Sequence, residues 1–327
     1  MKRVTISDVA AKAGVSKATL SRYLNGQFDR MSAKTKKHIS EVIEELDYRP
    51  NLQARGLKSN KSYLIGLVVA DILNLYSSFL IRAIQLALED TDYQLLIMNA
   101  DNSQEEEENG IKKLLDQNVD GLFLQPSTSE IENYQAVLNA NMPTVLIDRL
   151  LNKDKWPTVQ SNNREVTKEL IEHVAQLGYE KIIHVTSPLA GVSPRIERYE
   201  AVKEIAEEYD MEFQLMEIIQ NNTALLEYLE KDSSTLKTAI FAANGNILYE
   251  VIKATTKLNL SIPKDYGICG YDDWRWGEGI APGITVIEQD VREIGSHLTH
   301  LLLESIQGKS TNTKVEVPAK IIYRHSL

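Results

Sequence analysis

The sequence predicts an α/β protein of two unequal parts, a small all-α helix-turn-helix head followed by a large core of doubly wound parallel sheets. Three observations carry this. Apolar residues repeat at helical spacing through residues 1–48, whereas from Tyr63 onward short β-rich apolar runs alternate with helical stretches. The charge also changes sign along the chain. Residues 1–60 hold twelve Lys/Arg against six Asp/Glu, which leaves 24 basic and 40 acidic side chains of the chain's 36 and 46 for residues 61–327. The net charge of -10 therefore hides a basic head on an acidic body, a distribution suited to phosphate attraction at one end only.

With 327 residues, two or three domains fit. There is no apolar run long enough to span a bilayer, and the start MKRVTISDVAAKAG lacks a signal peptide's apolar stretch, so the expectation is a cytoplasmic protein with no membrane partner. The single cysteine, Cys269, excludes an internal disulfide and any multi-thiolate metal site.

In the head, Ile6, Val9, Ala10 and Ala13 share one helical face, Thr5 with Asp8 forms a capping signal, and Gly14 ends the first helix. Ser16 caps a second helix from Lys17 to Leu24, closed by Asn25-Gly26. Its inward positions are Val15, Leu20, Tyr23 and Leu24, with Ala18 or Thr19 in part, so Lys17, Ser21 and Arg22 point outward. Ser32 caps a third helix whose Ile39, Val42, Ile43 and Leu46 cover the first two. A trihelical unit of this size and charge suits a recognition helix in the major groove. Arg22 is the candidate for a bidentate contact to guanine, worth ~1–3 kcal/mol of discrimination. Lys17 reads a base or holds a phosphate, Ala18 fits against a thymine methyl, and Thr5, Thr19, Ser21 and Asn25 suit phosphate contacts. The plainer alternative is a trihelical protein-binding module.

The run TISDVAAKAGVSKATLSRYLNG resembles the amino-terminal signature of LacI-family transcription regulators, and YRPNLQARGLKSNKSYLIGLVV resembles that family's hinge and entry to its core. The similarity covers essentially the whole chain. It implies a head at 1–48 contacting DNA through Thr5, Ser16, Lys17, Ala18, Thr19, Ser21, Arg22 and Asn25, and a hinge helix and linker at 49–61 contributing Asn51, Ala54 and Leu57. In the family, paired hinge leucines enter the minor groove at the centre of a palindromic operator, a role that falls to Leu57; the alternative is a linker residue packed on the core. A helix this short is marginal in water, and Gly56 weakens it by ~1 kcal/mol relative to alanine, so its folding is expected to be coupled to DNA and a partner hinge.

In the core, the runs LIGLVVA (64–70), YQLLIMNA (93–100), VDGLFLQP (119–126), TVLID (144–148), KIIHVTS (181–187), TAIFAAN (238–244) and YGICGYD (266–272) are separated by helices such as Phe79–Glu89 and Arg164–Leu177. Strands buried on both faces imply parallel sheets, and residues 62–327 suffice for two. The resemblance implies their arrangement, a two-lobed core like periplasmic sugar-binding proteins, with lobe 1 at about 62–160 and 290–327 and lobe 2 at about 161–289.

Ligands of such sheets lie beyond the carboxyl ends of the strands, where Asp71, Asn74, Asp148, Arg149, Asn244, Asp272 and Asp273 stand. The family's effector positions fall on Asn74, Tyr76, Asp148, Arg195, Asn244 and Asp272. Carboxylates, amides and guanidinium groups suit hydroxyl recognition, although Asn and Asp after a strand are also ordinary caps and turns. Two departures from the family pattern are Gly245 in AANG and Arg198 in place of a glycine, a second cation beside Arg195. With Arg149 and Arg275 these favour an effector carrying a carboxylate or phosphate. Trp274 and Trp276 pack a sugar face or cover an interface. The segments SRYLNGQFDRMSAKTKKHI and GYDDWRWGEGIAPGITVIEQD look like those of Gram-positive regulators of 2-keto-3-deoxygluconate use.

The resulting expectation is a homodimeric DNA-binding regulator, a repressor of a sugar or sugar-acid catabolic operon, with a small carbohydrate effector such as 2-keto-3-deoxygluconate and with neither cofactor nor metal. The absence of a heptad tail after Val315–Tyr323 favours a dimer over a tetramer. Alternatives are a regulator answering to a neutral or phosphorylated sugar, and a solute-binding protein, which would need a secretory signal. An enzyme is disfavoured, because no Gly-rich phosphate loop follows a strand and no serine stands in a nucleophile elbow. His297 and His300 read as a solvated helix face, Cys269 as a small core residue, and the acidic run Glu105–Glu108 as a helix start favoured by the macrodipole.

Overall fold

The computed structural model describes residues 4–24, 26–29, 31–48, 61–219, 223–273, 276–309 and 313–327. The chain divides into two compact units, Met1–Tyr63 and Leu64–Leu327. The hinge positions Asn51, Ala54, Gly56 and Leu57, together with Asn25, Trp274 and Arg275, lie outside the described residues.

The first unit contains α1 (Ile6–Lys12), α2 (Lys17–Leu24) and α3 (Ala33–Glu45). Thr5 and Asp8 form a reciprocal capping box on α1, and Gly14, at φ 63°, takes the left-handed turn after it. Ser16 Oγ accepts from Thr19 N at 3.1 Å, and Ser32 Oγ accepts from Thr35 N at 3.1 Å, so both helix starts hold an otherwise orphaned amide. Val9, Ala10, Ala13, Leu20, Ile39, Val42 and Tyr48 form the buried core, with Val15, Tyr23, Leu24, Ile43 and Leu46 packed on it. Of the two candidates for a partly inward position, Thr19 is half-buried and Ala18 exposed, while Ser21 is half-buried rather than fully outward.

The second unit is built on two six-stranded sheets. The first contains β1 (Leu64–Val69), β2 (Gln94–Asn99), β3 (Gly121–Leu124), β4 (Thr144–Ile147), β5 (Thr158–Ser161) and β11 (Lys314–Val317), in the order β11-β5-β4-β3-β1-β2. The second contains β6 (Lys181–Thr186), β7 (Glu212–Glu217), β8 (Thr238–Ala242), β9 (Gly267–Tyr271), β10 (Thr285–Glu288) and β12 (Lys320–Ile322), in the order β12-β10-β9-β8-β6-β7. All pairings are parallel except β10 with β12. Each sheet is buried on both faces, as its near-continuous apolar strands require. On β1, Ile65, Leu67 and Val69 face one core with α4 (Leu75–Leu88) and α11 (Val291–Ile306), while Val68 faces the other with α5 (Gln104–Asp116). Gly66 permits the close approach of α5, since a Cβ there would lie 2.8 Å from Leu114.

The second sheet is covered by α7 (Asn163–Gln176) and α8 (Ser193–Glu208) on one face and by α9 (Ala224–Lys231) and α10 (Gly245–Lys257) on the other. Both helices expected from the sequence are present with shifted starts, at Leu75 rather than Phe79 and at Asn163 rather than Arg164. Asn74 caps the earlier start of α4.

The lobe division departs from expectation at the end of the chain. The sequence places 290–327 wholly in lobe 1, but only α11 and β11 belong there; β12 pairs antiparallel with β10 in lobe 2. Fully buried Ser326 secures this return, accepting from Thr285 N at 2.8 Å and donating to Ile268 O at 2.5 Å. The chain therefore crosses between lobes after β5, after β10 and after β11. Among the described residues, no helix is long and apolar enough to cross a membrane.

Candidate functional site

On the head, Lys17 and Ala18 are exposed at the start of α2, and Arg22 is exposed one turn later on the side away from buried Leu20. Ser21 and Thr19 are half-buried beside them. Thr5 and Ser16 are both engaged as caps: Thr5 Oγ1 donates to Asp8 Oδ2 at 2.7 Å, and Ser16 Oγ lies 2.9 Å from Thr19 Oγ1. Tyr23 stands edge-on to Phe28 at 5.8 Å between ring centroids, and Lys36 Nζ lies 3.8 Å over the Phe28 ring, which anchors the segment after α2 to α3.

In the core, a cavity of about 370 Å³ opens between the lobes at the carboxyl ends of both sheets. Five of the residues expected at an effector site line it: Asp71, Asn74, Arg149, Arg195 and Asn244. A larger groove of about 750 Å³, beside Tyr179, Lys237 and Tyr266, lies at the amino ends of the lobe 2 strands, the end at which ligands of open α/β sheets are not held. The smaller cavity is the candidate site on that ground. The lobes also touch beside it, where Leu150 N donates to Ser193 Oγ at 2.9 Å.

The strand-end amides act as caps while lining the cavity. Asn74 Oδ1 accepts from Tyr76 N at 3.1 Å, and Asn244 Oδ1 accepts from Ile247 N at 3.0 Å. Arg149 is buried, with Nη1 donating to Pro126 O at 2.9 Å, and Arg195 donates to Pro188 O at 2.7 Å. Burial, and then the positive charges of Arg149 and Arg198, lower the Arg195 guanidinium to about 10. Arg149 and Arg195 thus line one small cavity near enough to feel each other's charge, and Asp71 lines it too.

Tyr76, Asp148 and Asp272 are not among the lining residues. They are buried one layer behind it, because each found a partner within the protein. Tyr76 Oη donates to Asp148 Oδ1 at 2.7 Å, and Gln125 Nε2 donates to Asp148 Oδ2 at 3.4 Å. Gln289 Nε2 donates to Asp272 Oδ2 at 2.6 Å, while Gln289 Oε1 accepts from Ser161 Oγ at 2.8 Å, so Asp272 is tied to the lobe crossovers. Burial pushes Asp148 up to about 6 and Asp272 up to about 7. Arg198 is also committed: it is buried, donates twice to Asn163 Oδ1 at 3.0 and 2.7 Å and once to Ala243 O at 2.6 Å, and lies 3.5 Å over the Tyr271 ring. It adds charge near the cavity but no donor to its surface. Trp276 packs on the lobe 2 core rather than toward a ligand.

Cavity residues not singled out from the sequence include Ser77, Asn102, Gln125, Ser127, Ser187 and Asn246. Gln125 directly follows β3, so the strand-end rule applied to VDGLFLQP reaches it. Ser77 is inside α4 and carries no such signal. His297 and His300 lie on the exposed side of α11 beside Glu293 and Glu304, at 3.3 and 3.6 Å, and the described residues contain no group of three potential metal ligands.

Residues 5–51 match the model described as "Bacterial regulatory proteins, lacI family", and residues 171–327 match "Periplasmic binding protein-like domain". The HTH-type transcriptional regulator KdgR of Bacillus subtilis (strain 168) is 39% identical over 330 residues, covering 99% of this chain and 97% of that protein. The chain belongs to the LacI family. Its members are DNA-binding regulators and not enzymes. Among other LacI-family relatives, the HTH-type transcriptional regulator PtxS of Pseudomonas putida is 34% identical over 99% of this chain and 96% of its own length. The crystal structure of the lac repressor dimer bound to operator and the anti-inducer ONPF superposes with a TM-score of 0.84 at 25% identity, covering 99% of both chains.

Proposed function

We propose that this LacI-family regulator is a homodimeric repressor of a sugar-acid catabolic operon in the cytoplasm, released from a palindromic operator when a sugar acid such as 2-keto-3-deoxygluconate fills the inter-lobe cavity. The observation that carries the effector class is the convergence of Arg149 and Arg195 on one small cavity whose other polar lining is amides and hydroxyls with one carboxylate, Asp71. Guanidinium groups so close together are stabilised by an anion, and the surrounding Asn and Ser side chains suit sugar hydroxyls. The resemblance of the head and GYDD segments to those of Gram-positive regulators of 2-keto-3-deoxygluconate use supports the same class. The lac repressor is crystallised as a dimer on operator, and a two-fold protein places one head on each half-site. On this reading Lys17, Ala18 and Arg22 approach base edges, Thr5, Ser16, Thr19, Ser21 and Asn25 secure register, and Asn51, Ala54 and Leu57 act at the operator centre. Asn74, Arg149, Arg195, Asn244 and Trp274 contact effector, with Tyr76, Asp148 and Asp272 holding the wall behind them.

A neutral-sugar effector is the second reading. Both cavity arginines already donate to main-chain carbonyls, and a relative 32% identical is a ribose operon repressor. Calorimetry of the full chain against 2-keto-3-deoxygluconate, gluconate, galacturonate and neutral hexoses decides between them. A sugar acid is expected to bind most tightly, and tighter binding of a neutral hexose overturns the acidic class. Arg195→Ala is expected to weaken sugar-acid binding at least tenfold, with His297→Ala within twofold of wild type, since one charge-assisted hydrogen bond is worth ~1.5–3 kcal/mol. Equal losses would discredit the cavity assignment.

A further inference from the structure

Lobe 1 contains a buried carboxylate that does not itself line the cavity. Glu107 belongs to the acidic run at the start of α5, where helix polarity alone would account for it, yet it is 1% exposed. A carboxylate removed from water is costly unless donors fill its oxygens. Three do: Ser127 N donates at 2.7 Å, Ser127 Oγ at 2.9 Å and Tyr134 Oη at 2.7 Å. Burial raises its carboxyl above the usual range, and these donors and Arg149 act in the opposite sense.

The donors identify what Glu107 holds. Ser127 lies on the segment that leaves β3 and is one of the residues lining the cavity. The same segment is held from elsewhere by Arg149, through Pro126 O, and by Ala70 N, which donates to Gln125 Oε1 at 3.0 Å. Because the Ser127 hydroxyl proton is directed at Glu107, its oxygen is left with acceptor capacity only.

We propose that Glu107 is a positioning residue for effector recognition, fixing the Ser127 hydroxyl as the acceptor for one hydroxyl group of a carbohydrate effector. This rests on reading the cavity as the effector site. Charge on Glu107 strengthens the arrangement, since a hydroxyl that donates to a carboxylate becomes a better acceptor in turn.

The test is a double-mutant cycle in the full chain, with 2-keto-3-deoxygluconate and glucose as calorimetric probes. Ser127→Ala and Glu107→Gln are each expected to lower affinity for the bound probe about tenfold, and the double variant to lower it no further, because each removes the same oriented acceptor. Losses that multiply to about a hundredfold would mark Glu107 as acting independently of Ser127 and overturn the proposal. Ser127→Ala leaves the buried carboxylate in place, so wild-type affinity in that variant overturns the proposal even if Glu107→Gln fails to fold. Amide hydrogen exchange at residues 125–129 requires no effector: Ser127 protection is expected to fall in Glu107→Gln, and unchanged protection overturns the role of Glu107. A wild-type protein that takes up neither probe instead overturns the effector reading.

Discussion

Asp148 and Asp272 stand at equivalent places in the two lobes, each after the fourth strand of its sheet in chain order, with left-handed φ of 58° and 56°. Burial raises both carboxyl groups, to about 6 and about 7 from an ordinary 3.8, so the folded protein binds protons there that the unfolded chain releases. Their contribution favours folding below pH 4 and is lost as the pH rises through 6 and 7. His184 has the opposite sign. Fully buried and lowered to about 3 by burial and then by Arg198, it favours folding above its ordinary 6.5 and loses that contribution as the pH falls. Replacing Asp272 with Asn should therefore flatten the decline in melting temperature between about pH 4 and 7. A variant with the wild-type slope over that range would show that Asp272 is not the titrating group. The sequence placed these aspartates at strand ends correctly, but their direction depended on Tyr76 and Gln289, whose positions follow from distant parts of the chain.

At the scale of the element, α2 shows how local chemistry sets a boundary that tertiary packing only reinforces. Ser16 holds the Thr19 amide, and the helix then buries Leu20 while leaving Lys17 and Arg22 in solvent. Ser16→Ala should cost ~0.5–2 kcal/mol of helix stability. Hydrogen exchange through α2 is expected to quicken while the core melts unchanged, and a lowered core transition would show that the cap acts elsewhere. Strands were less legible than helices. The outer β7 has exposed or half-buried residues throughout, and β5, TVQS, is too short and polar to signal itself; β11 pairs with it only after α11 has crossed lobe 1. Such strands are defined by the neighbour that accepts their hydrogen bonds, which propensity in a short window does not contain.

For the whole molecule, charge separation has a thermodynamic consequence. A basic head that displaces counterions, joined to a core holding 24 basic and 40 acidic residues, should bind operator with a steep negative dependence on salt, roughly -0.9 in log K against log salt for each phosphate neutralised. Lys17→Ala is expected to weaken all operator sequences alike and reduce the slope by about one, and Arg22→Ala to relax preference at one base pair. The reverse pattern, read from salt titrations on operator variants, would exchange their assignments. By itself the sequence determined the three-helix head, the alternation of strand and helix, and the polar residues gathered at strand ends, because period, caps and turn residues act over a few positions. Only the tertiary structure decided that Arg198 is spent on Asn163 and Tyr271, that Glu107 turns inward to Ser127, and that β12 returns to lobe 2. Each of those outcomes depends on a contact between groups far apart in the chain, and burial made it favourable for them to satisfy one another rather than water.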